Sequence, residues 1–198
     1  MAVFVITLFL FPSSSFAKGR TGSGPYVFFS FSNLEPANDY VVGYGFPSLG
    51  DSLVCFGGGG SRRTGRVELG GFGGSGESTS FSGANEAKLG ISFGAFRLDY
   101  YLKETHNLSF LASGGFGGIR AKLRLEGDNS ARFKISSFLF YGGLTLRYKL
   151  AERLSLELGA DYDYAPDKNW ERQTGSLPEP ELLDLSGATI RLGLRFGW

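Results

Sequence analysis

Few residues in this sequence are of a type and spacing that could do catalytic or metal chemistry. It has one histidine, His106, in a polar turn, and one cysteine, Cys55. With one histidine and one cysteine, a zinc site lacks ligands, and we expect no Cys-His catalytic pair. A Ser-His-Asp triad would have to use His106, and no serine is marked as its partner. We therefore expect no catalytic residues, no metal and no cofactor, and a chain that is not an enzyme.

Two other clusters could bind ions. Gly57 to Gly60 precede Arg62 and Arg63, but neither the Gly-Lys-Ser/Thr signature nor a helix follows, so the run is not a phosphate-binding loop. Asp161, Asp163 and Asp167 could bind Ca²⁺ through their carboxylates. Their spacing is not that of an EF-hand loop, and we favour interior ion pairs for them.

The remaining charged residues alternate with apolar ones. From Thr189 to Trp198 every even position is apolar, namely Ile190, Leu192, Leu194, Phe196 and Trp198, and every odd position is polar or glycine. A period of two predicts a strand with one apolar face. Two earlier segments, near 133–150 and 154–164, repeat the pattern.

The charged face of these three strands must avoid lipid if the strands cross a membrane. A lipid-facing Arg or Lys at mid-membrane costs about 2–4 kcal/mol. We therefore expect the charges to point into a barrel or lie near its rims, and to be paired, since an unpaired buried charge is costly. The interior of an eight-stranded barrel is just wide enough for side chains to fill. This predicts a plugged interior containing Arg147, Lys149, Arg153, Glu157, Asp161, Asp163, Arg191 and Arg195.

The start of the chain predicts secretion. Residues 2–11 are apolar, too short a run to span a bilayer as a helix, and Ser15-Phe16-Ala17 is a small-x-small cleavage site. We assign residues 1–17 to a signal peptide and 18–198 to a single β-barrel domain.

Alternation and turn residues predict eight antiparallel strands joined in sequence, an all-β closed up-and-down barrel. Segment 34–51 favours a short helix after Pro36 over a strand at 40–46. A change of parity along 87–102 predicts a β-bulge at Gly94-Ala95. The predicted connections after strands 2, 4 and 6 are short. The predicted connections after strands 1, 3, 5 and 7 are longer and comprise residues 33–51, 73–86, 126–132 and 165–185.

This loop asymmetry and the aromatic-ended last strand resemble small eight-stranded outer-membrane β-barrels of bacteria. Those barrels usually end in Phe, so Trp198 is a departure. The Gly-rich stretch 55–76 is similar to an uncharacterised group of envelope proteins. The resemblance implies an outer-membrane protein surrounded by lipid, with both termini in the periplasm. It also implies a monomer assembled by the barrel-assembly machinery through its C-terminal strand.

Composition fits a barrel as well as a soluble protein. The net charge is +1, so nothing suggests a nucleic-acid partner, and 31 glycines suit tight turns and crowded interiors. Mean hydropathy is −0.04, which a membrane barrel shares because only every second strand residue faces lipid. Our leading hypothesis is a non-enzymatic scaffold for surface loops, whose external ligand is unknown. The alternatives are a narrow channel or carrier for small solutes, and a soluble lipocalin-like barrel binding an apolar ligand.

Overall fold

The computed structural model describes residues 20–50, 52–127, 129–166, 169–180 and 185–197. The predicted signal peptide, Asp167 and Trp198 lie outside these residues. The described chain forms nine strands and one helix: β1 Arg20–Ser32, α1 Glu35–Gly43, β2 Leu53–Thr64, β3 Val67–Ser82, β4 Asn85–Glu104, β5 Leu108–Glu126, β6 Ala131–Ala151, β7 Leu154–Tyr164, β8 Glu171–Thr174 and β9 Gly187–Gly197.

Eight of these strands close into an antiparallel barrel. Each strand from β1 to β6 pairs with the next, and β9 closes the ring by pairing with β7 on one side and β1 on the other. β8 is a short addition that pairs with the start of β6, where Phe133 lies opposite Arg172. The predicted fold class is confirmed.

The closing strand shows how alternation builds the wall. Ile190 is 43% exposed on the outer face, whereas the next residue, Arg191, is fully buried in the interior. Leu192, Leu194 and Phe196 also lie outside, and Arg195 lies inside. The apolar face of β9 is therefore the outer surface of the barrel. The alternative of a soluble barrel, which would carry its charged residues on the outside, is therefore wrong for β9.

The two ends of the barrel differ. The terminal end, where β1 begins and β9 ends, has only short connections at 65–66, 105–107 and 152–153. The loop end carries α1 and the connection from β7 to β9. The predicted long loop at 73–86 is wrong, because β3 and β4 continue through it to a tight turn at Gly83, whose φ of +60° suits glycine. Long strands, rather than a long loop, extend this part of the loop end.

The predicted short helix is confirmed as α1, and the strand alternative at 40–46 is wrong. Pro36 lies in its first turn, where a missing N–H costs no hydrogen bond. The helix buries Ala37 and Val41 against the inner surface of the loop end. Among the described residues, no helix has the length and apolarity needed to cross a membrane.

β4 explains the parity change without a bulge. Gly94 pairs in register with Gly73 on one side and Gly118 on the other, so the predicted bulge at Gly94-Ala95 is wrong. The register shifts instead between Tyr101 and Lys103. The same inward face carries Leu89 near the loop end and Arg97 nearer the terminal end. The inward face of β4 therefore changes from apolar to charged along the strand, while the alternation of inward and outward side chains continues unbroken.

The faces of β5 and β6 also change character along the strand. The change on their outward faces marks the edge of an apolar band around the barrel. On β6, apolar outward residues run from Phe138 to Tyr148, and beyond Phe138 the outward residues are Ser136, Lys134 and Arg132. Ten residues rise about 33 Å along a strand, or about 25 Å along the axis of a barrel with strands tilted by 35–45°. That height matches the apolar band of a membrane barrel.

Candidate functional site: the barrel interior

Glu157 of β7 lies at the centre of a charged layer across the lumen. Its carboxylate accepts hydrogen bonds from Nη1 of Arg97 at 2.5 Å and from Nη2 of Arg147 at 3.0 Å. Nε of Arg191 is 3.6 Å away. These arginines come from β4, β6 and β9, so one carboxylate ties together three parts of the wall.

Glu68 of β3 is a second centre nearer the terminal end. It accepts hydrogen bonds from Nη1 of Arg147 at 2.9 Å and from the Tyr101 hydroxyl at 2.8 Å. It is also 2.7 Å from Nη1 of Arg195, and the Ser61 hydroxyl donates to it. Arg147 therefore links the two glutamates.

Asp99 and Asp161 complete the layer. Nε of Arg97 donates to Asp99 at 2.9 Å, and Nη1 of Arg191 lies 3.2 Å from Asp161. Nη2 of Arg191 donates to the Thr145 hydroxyl at 3.0 Å. We call the following eight residues the charge network: Glu68, Arg97, Asp99, Arg147, Glu157, Asp161, Arg191 and Arg195. Its four guanidinium groups face four carboxylates, so the layer balances in formal charge.

The structure divides the eight predicted interior residues into two groups. Five belong to the charge network, and a sixth, Asp163, is half-buried and accepts a hydrogen bond from Thr189 at 2.6 Å. Lys149 and Arg153 are exposed at the terminal end, so their placement in the interior is corrected. They lie where β6 ends and β7 begins, beyond the depth at which the lumen encloses side chains.

Three members of the network were not predicted: Glu68, Arg97 and Asp99. Arg97 and Asp99 lie on β4, where the parity change obscured which face is inward, and Glu68 lies on β3. A usable signal exists, because Arg97 and Asp99 alternate with Phe96, Leu98 and Tyr100, the same pattern that marked β9. Treating each half of β4 separately would have assigned them to the lumen.

A vestibule of about 440 Å³ opens at the terminal end, below the network. Glu68, Arg147 and Arg195 line it together with Lys149 and Arg153 at its rim. His106 also borders it and is exposed. Within the described residues, no group of three His, Cys, Asp or Glu side chains is placed to hold a metal ion.

Above the network the interior becomes apolar. A cavity of about 30 Å³, large enough to hold a water molecule, lies between Phe28 and Phe93 on one side and Asp161 and Arg191 on the other. Phe28 and Phe93 meet edge to face, with ring centroids 5.0 Å apart. Beyond them, Leu89, Leu123, Leu125, Phe133 and Ile135 form a core with the helix.

The loop end is covered by a roof, which we define as α1 together with the described part of the β7–β9 connection, 165–186. The Tyr40 hydroxyl of α1 donates to the Pro178 carbonyl at 2.6 Å, and its ring meets Phe133 edge to face. Trp170, from the connection, is 1% exposed in the same core. Burial raises the pKa of Tyr40 to about 12, with a further contribution from Tyr44.

Comparisons with known proteins agree on the fold. No family model and no curated protein matches the sequence. Among solved structures, Ail, the attachment invasion locus protein of Yersinia pestis in complex with the heparin analogue sucrose octasulfate, is similar with a TM-score of 0.56, 10% identity, and coverage of 91% of this chain and 99% of that one. The outer membrane protein OprG of Pseudomonas aeruginosa has a TM-score of 0.56, 14% identity, and coverage of 91% and 96%. Neisserial surface protein A has a TM-score of 0.53, 12% identity, and coverage of 91% and 97%.

These proteins are small eight-stranded barrels, and identities this low define the fold alone. The chain therefore has the fold of small outer-membrane β-barrels, as predicted, and its apolar outer wall agrees with the predicted location in the outer membrane. Within that class, it is a barrel with a charged layer across its lumen and a helical roof at its loop end.

Proposed function

We propose that the chain is a non-enzymatic outer-membrane scaffold that conducts no solute and displays its loop end outside the cell. Outer-membrane barrels have short periplasmic turns and longer external connections. The terminal end, with its short turns at 65–66 and 152–153, then faces the periplasm. The long projecting strands β3 to β6 and the roof face outward.

The observation that carries the proposal is the position of Glu157 across the lumen from Arg97. The two residues lie three strands apart around the ring, and both are buried. A solute passing this layer would have to separate buried ion pairs, and removing one partner of such a pair costs about 3–5 kcal/mol. The layer therefore acts as a barrier.

A second barrier lies above the first. The apolar core around Phe133 and Leu123 fills the barrel beneath the roof, and Trp170 is buried within it. An ion would lose its hydration there without gaining a polar partner, which is strongly unfavourable. Two barriers of opposite chemistry in series exclude both polar and apolar solutes.

The buried carboxylates are the groups best suited to acid-base chemistry, and their contacts are those of structural residues. Glu68 and Glu157 each face two or more arginines, and Asp163 is bonded to Thr189. Paired in this way, the carboxylates of Glu68 and Glu157 tie distant strands together across the lumen, which is a structural role. We further propose a monomer whose outward residues Ile190, Leu192, Leu194 and Phe196 serve as the signal for the barrel-assembly machinery.

Solute efflux from proteoliposomes tests the proposal. Vesicles loaded with a small sugar or amino acid should release it no faster with the refolded barrel than without protein. A vesicle batch containing an open porin serves as the positive control. Release that increases with the amount of barrel would support the channel alternative and overturn the scaffold proposal.

A further inference from the structure

Six cations lie on the outer wall just beyond the apolar band, on three neighbouring strands. They occupy outward positions of β4, β5 and β6, and all are on the side of Phe138 and Phe116 that leads to the loop end. We call them the basic collar: Lys88, Arg120, Lys122, Arg124, Arg132 and Lys134.

The collar contains like charges in direct opposition. Lys122 of β5 is paired in register with Lys134 of β6, and two residues further along Arg124 is paired with Arg132. Opposed residues of an antiparallel pair have Cα atoms about 4.5–5.5 Å apart, and like charges there are destabilising. Two consecutive rows of this kind work against the stability of the bare barrel.

Carboxylates of the chain offset the collar only at its margin. Glu77 lies 2.8 Å from Nζ of Lys88. Glu126 lies 3.8 Å from Arg124 and 3.7 Å from Arg132, both beyond hydrogen-bond distance. The central cations Arg120, Lys122 and Lys134 lie nearer the membrane than Glu126 does. An external anion could reach all three from the side.

The height of the collar selects the kind of anion. Arg120, the Lys122–Lys134 row and the Arg124–Arg132 row lie two, four and six residues beyond the Phe138 row. These offsets correspond to about 5, 10 and 15 Å above the apolar band. The headgroup region of an ordinary bilayer is only about 5–8 Å thick on each side. The two upper rows therefore lie above the phosphates of a simple phospholipid.

We propose that the basic collar binds a glycolipid of the outer leaflet whose sugar headgroup carries phosphates. The headgroup would lie against the Lys and Arg rows, and the acyl chains would lie along the band beside Phe116 and Phe138. Phosphate oxygens between opposed cations replace repulsion with charge-assisted hydrogen bonds. The proposal rests on the outward orientation of the loop end given above, but it does not require the lumen to be closed.

A binding measurement on the full barrel in uncharged detergent tests this. The probes are fluorescent lipopolysaccharide with its phosphates intact, the same material after chemical dephosphorylation, and phosphatidylglycerol vesicles. We expect intact lipopolysaccharide to bind at least about tenfold more tightly than the other two. Lys122→Ala/Lys134→Ala should weaken that binding by about tenfold, and Lys122→Arg/Lys134→Arg should retain it.

The matched control is Lys149→Ala/Arg153→Ala, which removes the same charge from the exposed terminal end and should leave affinity within about twofold. Without lipid, Lys122→Ala/Lys134→Ala should unfold at the same or higher urea concentration, because like-charge repulsion is relieved. A loss of binding that accompanies a loss of fold would contradict that expectation. Equal affinity for dephosphorylated material or phosphatidylglycerol, or an equal loss in the control, overturns the proposal. Solute efflux plays no part in this measurement, so its outcome is separate from that of the closed-barrel test.

Discussion

Glu157 of β7 and Arg97 of β4 form an ion pair across the barrel lumen, with Oε1 and Nη1 2.5 Å apart. Arg147 and Glu68 make a second pair over the same span of three strands, at 2.9 Å. Pairs between adjacent strands would line the wall and leave the middle open. Pairs between distant strands fill the middle, and this is the basis of our proposal that the network closes the barrel.

Neutralising the central carboxylate should weaken the whole barrel. Glu157→Gln keeps the shape of the side chain but leaves Arg97, Arg147 and Arg191 with one fewer negative charge among them. We expect the free energy of unfolding to fall by about 3–5 kcal/mol, the usual result of breaking a buried pair. Urea titration of the refolded protein, followed by the mobility shift of folded barrel on detergent gels, measures it.

Glu152→Gln is the control for that experiment. Glu152 is an exposed carboxylate in the turn between β6 and β7, and its loss should change stability by no more than about 0.5 kcal/mol. Equal urea midpoints for the two variants would mean that the charge network contributes nothing particular to stability.

A cation placed on the outer wall should be penalised according to depth. Leu192 lies outward in the middle of β9, whereas Leu102 lies outward near the end of β4. Leu192→Arg should cost about 2–4 kcal/mol and Leu102→Arg about 0–1 kcal/mol in a lipid bilayer. Reversible unfolding from vesicles gives both values. Similar penalties at the two sites would argue that this wall does not contact hydrocarbon.

The roof should respond to alkaline pH through Tyr40. Its pKa of about 12 lies above the ordinary tyrosine value of about 10, so the folded state favours the neutral hydroxyl that donates to Pro178. The stabilisation from this group is complete below about pH 10 and is lost as pH rises through about 12. The phenolate absorbance of the native protein minus that of Tyr40→Phe should therefore show a titration near pH 12. A difference titration near pH 10 would show that this hydroxyl is not held in the roof.

The sequence contained most of the barrel but less of the network. On β9, a uniform environment along the strand made alternation easy to read, and Arg191 and Arg195 are both buried on the inward side. On β4, the inward face passes from Leu89 in the core beneath the roof to Arg97 in the charged layer. Periodicity reports which residues share a face but not what that face contacts, so the inversion resembled a bulge. The cross-lumen partners of Glu157 depend on ring closure, which no local pattern encodes.

The change in character of both faces of β6 marks where the apolar outer band of the barrel ends. Between Phe138 and Lys134, the outer surface of β6 changes from apolar to basic. Over the same residues, its inner surface passes from the part of the lumen nearer the charge network to the apolar core beneath the roof. This change places the upper boundary of the membrane close to Ser136. In the proposed orientation, the same strands cross the bilayer and then continue into the water beyond it.

Single-channel recording in a planar lipid bilayer tests the closed interior most directly. With purified barrel inserted in both orientations and concentrated KCl on each side, we predict no current steps at any voltage that the bilayer withstands. Insertion into lipid is verified by the folded band that the same barrel preparation gives on a detergent gel after it has been recovered from vesicles. Discrete, reproducible conductance steps would show an ion path through the layer of Glu157 and Arg97, and would contradict the account.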